Sequence, residues 1–170
     1  LFIFSASNVI ASENFNNPFF FIERQVVAFA LSLIMFSVFL FIPISFYRDN
    51  GLLLFFLSAF LLALVLIPGI GREVNGSRRW LDLGFMNMQP SEVAKIFVPI
   101  YLCGYCLRRK EQLESSWRGF LKPILIISLI SLLLFFEPDI GAMVVIFAIG
   151  IGILFIGGAK LSQLGILTII

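Results

Sequence analysis

LKPILIISLISLLLFF, residues 121–136, runs into EPDIG, residues 137–141, and then into AMVVIFAIGIGILFIGG, residues 142–158. Neither long run alternates with a period of two, so a membrane-barrel strand is excluded and an apolar helix is expected on each side of the break. The break itself holds two acids, a proline and a glycine. Asp139 is thereby expected between two helices, at one membrane face.

The rest of the chain repeats this pattern. Sixty per cent of its 170 residues are hydrophobic and 13% are charged, and the mean hydropathy is +1.05, far from the balance of a soluble domain. An integral membrane protein is expected, in which every spanning backbone group is paired inside a helix. The reading is an all-α polytopic membrane protein: one transmembrane domain, 1–170, with about six helices and the start of a seventh. They are placed at 1–11 (partial), 25–45, 52–67, 90–107, 121–136, 142–158 and 161–170 (partial). Pro43 is expected to kink the end of the second, and Tyr47 to Gly51 to form a tight turn. Leu1 to Ile10 is too short to span and lacks a basic flank, which suits the latter half of a helix better than a signal peptide. The chain is expected to be a fragment.

Between the third and fourth helices lies the most polar stretch, GIGREVNGSRRWLDLGFMNMQPSEVAK, residues 69–95. Its first part, 69–89, is expected to be an extracytoplasmic loop that folds back on the membrane, anchored by Trp80. The side follows from counting basic residues on alternate connections. Arg48, Arg108, Arg109, Lys110, Arg118, Lys122 and Lys160 make seven on one side, against Arg24, Arg72, Arg78 and Arg79 on the other. The richer side is expected to be cytoplasmic.

Chemistry is sought where charge meets lipid. Glu92 and Lys95 are three residues apart on the fourth helix and share a face; Lys95 lies roughly 7 Å below the helix start at 1.5 Å per residue. A charge at that depth is a candidate functional group, and Asp139, at the same membrane face, is its expected partner. A structural ion pair between helices or a snorkelling lysine explains the same residues. Arg78, Arg79 and Trp80 suit phosphate recognition beside an interfacial indole, or ordinary head-group contact. The remaining motifs carry less. Asn75-Gly76-Ser77 is first a turn signal, and Cys103 and Cys106 read as two small buried thiols rather than a redox pair. The glycines 150, 152, 157 and 158 read as close-packing positions. With no histidine in the chain, a histidine triad or histidine-ligated metal is excluded, and no nucleotide or nucleic-acid motif is present.

Taken in order, Ile67-Pro68-Gly69-Ile70-Gly71, Val74-Asn75-Gly76-Ser77-Arg78-Arg79-Trp80, Gln89-Pro90-Ser91-Glu92 with Lys95, and Pro138-Asp139 with Gly141 resemble the signature of the SEDS family of bacterial membrane proteins. Ser5-Ala6-Ser7, Asn17-Pro18-Phe19-Phe20 and Arg24-Gln25 are similar to the same family. The resemblance covers essentially the whole chain and is closer to the cell-division branch than to the elongation branch.

It implies a ten-helix peptidoglycan glycosyltransferase of the bacterial inner membrane. Such an enzyme polymerises lipid II at the division septum with a class B penicillin-binding protein and other division proteins. It also implies that the family's catalytic aspartate belongs to a later extracytoplasmic loop, so that no acid here, Asp139 included, inherits that role. The fragment alone is expected to be inactive. Lys95, Glu92 and Asp139 would then shape a polar cavity, with Arg78, Arg79 and Trp80 at its roof or on the diphosphate. A divalent cation, Mg or Mn, is compatible with that reaction, although the sequence shows no dedicated site for one. A lipid II transporter and a division scaffold are the alternatives.

Overall fold

The computed structural model describes residues 19–74, 76–82, 84 and 87–169. The partial helix expected over 1–11 and the polar loop that follows it lie outside these residues. The chain divides into two units, residues 1–44 and 45–170. In the first, α1 spans Phe20–Phe41, starting five residues before the expected boundary. Pro43 ends this helix rather than kinking it: Ile42 is extended, with φ −78° and ψ 121°, because the proline ring crowds the helical conformation of the residue before it. A short helix, α2 (Ile44–Asp49), then occupies most of what was expected to be a tight turn.

The second unit is built on α3 (Gly51–Val65), α4 (Pro90–Arg108), α6 (Trp117–Phe136) and α7 (Ile140–Ile156), with the short α5 (Lys110–Ser115) between α4 and α6 and α8 (Leu161–Ile169) last. Pro90 occupies the first turn of α4, where its missing N–H costs nothing. The α6 helix begins at Trp117 because Ser116 accepts a hydrogen bond from Gly119 N at 3.1 Å, a side-chain N-cap. The charged connection expected between α4 and α6 is thereby largely helical, and Leu113 of α5 is fully buried.

The core lies where α3, α4, α6 and α7 meet. Leu62, Val98, Leu102, Ile127, Ile130 and Leu134 are each 0% exposed. Gly150 brings α7 against α6, since a Cβ there would lie 2.6 Å from Ile127 Cδ1. Gly157 does the same against α4, 2.8 Å from Cys106 Sγ. At Gly158 a Cβ would lie 2.9 Å from Glu114 Oε1, whereas Gly152 meets nothing within 4 Å, so the expected close-packing role falls on three of the four glycines. Both cysteines are free thiols, and Cys103, expected inside, lies on the exposed side of α4.

Large apolar side chains also cover the outside. Leu121, Leu125, Leu129, Leu132 and Phe136 of α6 follow one another at helical spacing and are all exposed. Such a stripe beside an equally apolar core suits lipid as the surrounding medium. Among the described helices, α6 alone is long and apolar enough to cross a membrane. Gln25–Phe41, Gly51–Val65 and Ile140–Ile156 are apolar but shorter, and α4 carries Glu92, Lys95 and Arg108.

The stretch expected to be a loop is a three-stranded antiparallel sheet: β1 (Gly71–Val74), β2 (Ser77–Asp82) and β3 (Asn87–Met88), in the order β1-β2-β3. Val74 pairs with Ser77, and Gly76 takes φ +77° in the hairpin turn, which a glycine adopts without steric cost. Paired strands satisfy the backbone groups that a loop on an apolar surface would leave exposed. Gly71 sets the sheet against the end of α3, since any Cβ there would collide with the carbonyl of Val65. Gly71→Val is therefore expected to displace the sheet and lower stability by about 1–3 kcal/mol, which thermal unfolding of the intact protein would measure.

Candidate functional site

The first turn of α4, the corner between α6 and α7, and β2 come together at one end of the second unit. Asp139 is the centre of this region. It is 6% exposed and is the N-cap of α7, its Oδ1 accepting the amide of Ala142 at 3.2 Å. Its other oxygen, Oδ2, accepts from Gln89 Nε2 at 2.8 Å and from Ser91 Oγ at 2.9 Å. One carboxylate thus closes the start of α7 and ties it to the start of α4. Acceptance of several donors by an ionised group is the strong kind of hydrogen bonding.

Lys95 is not its partner. The Lys95 ammonium pairs with Glu92 Oε1 at 2.7 Å within α4, with the two side chains 26% and 62% exposed. Asp139 is level with Ser91, whereas Lys95 is one turn, roughly 6 Å, further along the helix. The lysine therefore meets the carboxylate three residues away on its own helix. Pro99 adds polarity at this level: it has no N–H to close onto the Lys95 carbonyl four residues earlier.

The arginines differ in their surroundings. Arg72 pairs with Trp80 but Glu73 with Arg78, so Arg79 is the extra residue of a β-bulge, where the alternation of the strand is interrupted. Arg78 is exposed and pairs with Glu73 across the hairpin at 3.4 Å; Arg72 reaches Asp82 at 3.5 Å. Exposed pairs of this kind contribute little, about 0–1 kcal/mol each. Arg79 is half-buried and donates from Nε to Ser77 Oγ at 2.6 Å. Trp80, also half-buried, lies opposite Arg72 in the ladder.

One residue of the site was not singled out from the sequence. Glu137, which follows the last residue of α6, is 0% exposed, and neither carboxyl oxygen has a hydrogen-bond partner among the described residues. Burial pushes its carboxyl up to about 8, the charge of Asp139 pushes the same way, and Arg79 pulls it down. Glu137 is therefore held largely protonated at neutral pH, which removes most of the cost of burying it without a partner. The available signal was the spacing of Glu137 and Asp139, two acids flanking one proline at a helix break. Among the described residues, no group of three or more acids or cysteines is placed to hold a metal ion.

This arrangement can be set beside known proteins. The FtsW/RodA/SpoVE profile, described as a cell cycle protein, matches residues 1–170. A protein of Thioalkalivibrio sulfidiphilus named probable peptidoglycan glycosyltransferase FtsW is 44% identical over 164 residues, which are 96% of this chain and 41% of the relative. One of the same name from Nitrosococcus halophilus is 48% identical over 92% of this chain and 40% of its own length. The chain thus spans about two fifths of the length of these relatives. Among solved structures, the rod shape determining protein RodA of Thermus thermophilus superposes with a TM-score of 0.77 at 27% identity, covering 96% of this chain and 53% of that one. A chain from a study of polymerisation and crosslinking by a peptidoglycan synthase complex gives 0.69 at 28% identity, over 85% of this chain and 41% of that one. With a profile matched from end to end and relatives this similar, the chain belongs to the FtsW/RodA/SpoVE family of cell cycle membrane proteins.

Proposed function

We propose that this chain is part of a peptidoglycan glycosyltransferase that polymerises lipid II at the bacterial division septum. The observation that carries the reading is identity of 44% and 48%, over nearly the whole chain, to proteins named for that activity and for FtsW. In this reading six helices cross the inner membrane and a seventh begins at α8. The sheet and the Glu137 to Asp139 corner face outward, and the partner is a class B penicillin-binding protein. The TM-score of 0.69 to a chain from a study of a peptidoglycan synthase complex supports such an assembly.

Polymerisation joins an acceptor hydroxyl oxygen to the anomeric carbon of the donor sugar. The bond from that carbon to the lipid diphosphate breaks, the diphosphate leaves with the electron pair, and a base takes the hydroxyl proton. No acid described here is assigned as that base. Lys95 offers a cation whose side chain is 26% exposed, held in place by Glu92, and its role is to face the departing diphosphate. Asp139 is a positioning residue: through Gln89 and Ser91 it fixes the first turn of α4, from which Glu92 and Lys95 project. Arg79 and Trp80, both half-buried, contribute to a roof, while Arg78 is exposed. A divalent cation at the diphosphate would have to be held by groups other than these.

Lys95→Ala in the intact protein is expected to reduce lipid II polymerisation in liposomes by 100-fold or more, on the order of the loss of one charge-stabilising group. Lys95→Arg, which keeps the charge with different geometry, should recover part of it. Polymerisation at the normal rate by the alanine variant would remove the proposed role, and transfer of labelled lipid II across the bilayer without polymerisation would favour a transporter.

A further inference from the structure

At the opposite end of α4, the cavity beside the start of α3 has no part in this chemistry. It encloses about 590 Å³ and is lined by Arg48, Asp49, Leu52 and Arg108. We propose that it binds the phosphate of an acidic phospholipid head group.

Three observations support this. Arg108 donates from Nη1 to the backbone carbonyl of Arg48 at 3.2 Å, which anchors one edge of the guanidinium and leaves most of its five N–H donors for a ligand. Asp49 is already engaged with Arg48 Nε at 3.0 Å, and Arg108 forms no ion pair among the described residues. The lining therefore carries one positive charge that the cavity does not cancel. In the lining itself Leu52 is 52% exposed, and Leu53 and Leu107, which adjoin lining residues in sequence, are 65% and 73% exposed. Charge at the mouth and bare leucine at the rim suit an amphiphile, whose acyl chains cover the leucines while its phosphate meets the guanidiniums. A free anion would leave the leucines uncovered. The cavity also lies on the side with the larger share of lysine and arginine, where anionic lipid attracts basic residues.

The test is lipid retention by the intact protein, purified from nanodiscs of phosphatidylglycerol and phosphatidylcholine and read by native mass spectrometry and thermal unfolding. Wild type is expected to keep bound phosphatidylglycerol in preference to phosphatidylcholine and to unfold at higher temperature with it. Each of Arg48→Gln and Arg108→Gln should weaken retention about fivefold. Leu52→Trp, which fills the cavity without changing charge, should also displace the lipid and guards against a misfolded arginine variant. Arg118→Gln, on the same side but outside the cavity, should have no effect. Unchanged retention in the two arginine variants and in Leu52→Trp would overturn the proposal. So would an equal loss in Arg118→Gln, which would indicate general surface charge, or an equal rise in unfolding temperature with inorganic phosphate, which would indicate a free-anion site.

Discussion

Asp139→Ala is expected to lower the stability of the intact protein by about 3–5 kcal/mol and to abolish lipid II polymerisation. Three hydrogen bonds end on this carboxylate, and the substitution leaves the buried Ser91 Oγ and Ala142 amide and the half-buried Gln89 Nε2 without their acceptor. Stranding buried partners costs more than the bonds are worth when made, about 1–3 kcal/mol for each group, and loss of an N-cap alone costs about 1 kcal/mol. The effect on activity is indirect: without the tie, the first turn of α4 loses its reference to α7, and Glu92 and Lys95 move with it.

Asp139→Asn separates the two contributions. Its side-chain oxygen can still cap α7, while Gln89 can rotate its amide and Ser91 its hydroxyl to accept from the new NH₂. Most of the stability should return, within about 1 kcal/mol of wild type. If activity returns as well, the negative charge is not needed. A melting curve and a polymerisation assay on both variants decide the matter; alanine behaving like wild type in both would show that the tie carries no weight.

The second large effect belongs to Glu137 and is read against pH. Its carboxyl is raised from the usual 4.5 to about 8 in the folded protein, by burial first and by Asp139 second, against the opposing charge of Arg79. The folded state thus holds a proton that the unfolded chain releases earlier. The stabilisation is complete below about 4.5 and falls as pH rises toward about 8, by up to about 1.4 kcal/mol per pH unit, then levels off. Glu137→Gln has no proton to lose. Its unfolding temperature should stay flat between pH 5 and about 8 where wild type declines, so that the variant is the more stable protein at the alkaline end by a few kcal/mol. The same downward slope in the glutamine variant would assign the titration to another group.

How far these features could be read beforehand differs by type of residue. Helices announce themselves by apolar length, and their cores moved little: α4 starts at Pro90 and α6 ends at Phe136, both as expected. Boundaries drifted where charge was mistaken for an end. Trp117, Arg118, Gly119 and Phe120 belong to α6 because Ser116 caps it and Phe120 is buried, although Arg118 suggested a connection. The sheet was legible but unread: Asn75-Gly76 between Arg72-Glu73-Val74 and Ser77-Arg78-Arg79 is a strong hairpin signal, masked by the expectation that helices alone would fill a membrane protein. The site divides in the same way. Glu92 with Lys95 follows from spacing on one helix, which sequence fixes. Asp139 with Gln89 and Ser91 spans about fifty positions and depends on how α4 and α7 pack, which spacing cannot state.

The close contacts along α4 and α7 bear on motion. Asp139 fastens the two helices at one end, Gly157 meets Cys106 near the other, and between them a Cβ at Gly150 would lie 3.5 Å from Leu102. Two helices held at three levels resist sliding and splaying, and the pair is expected to move as one strut.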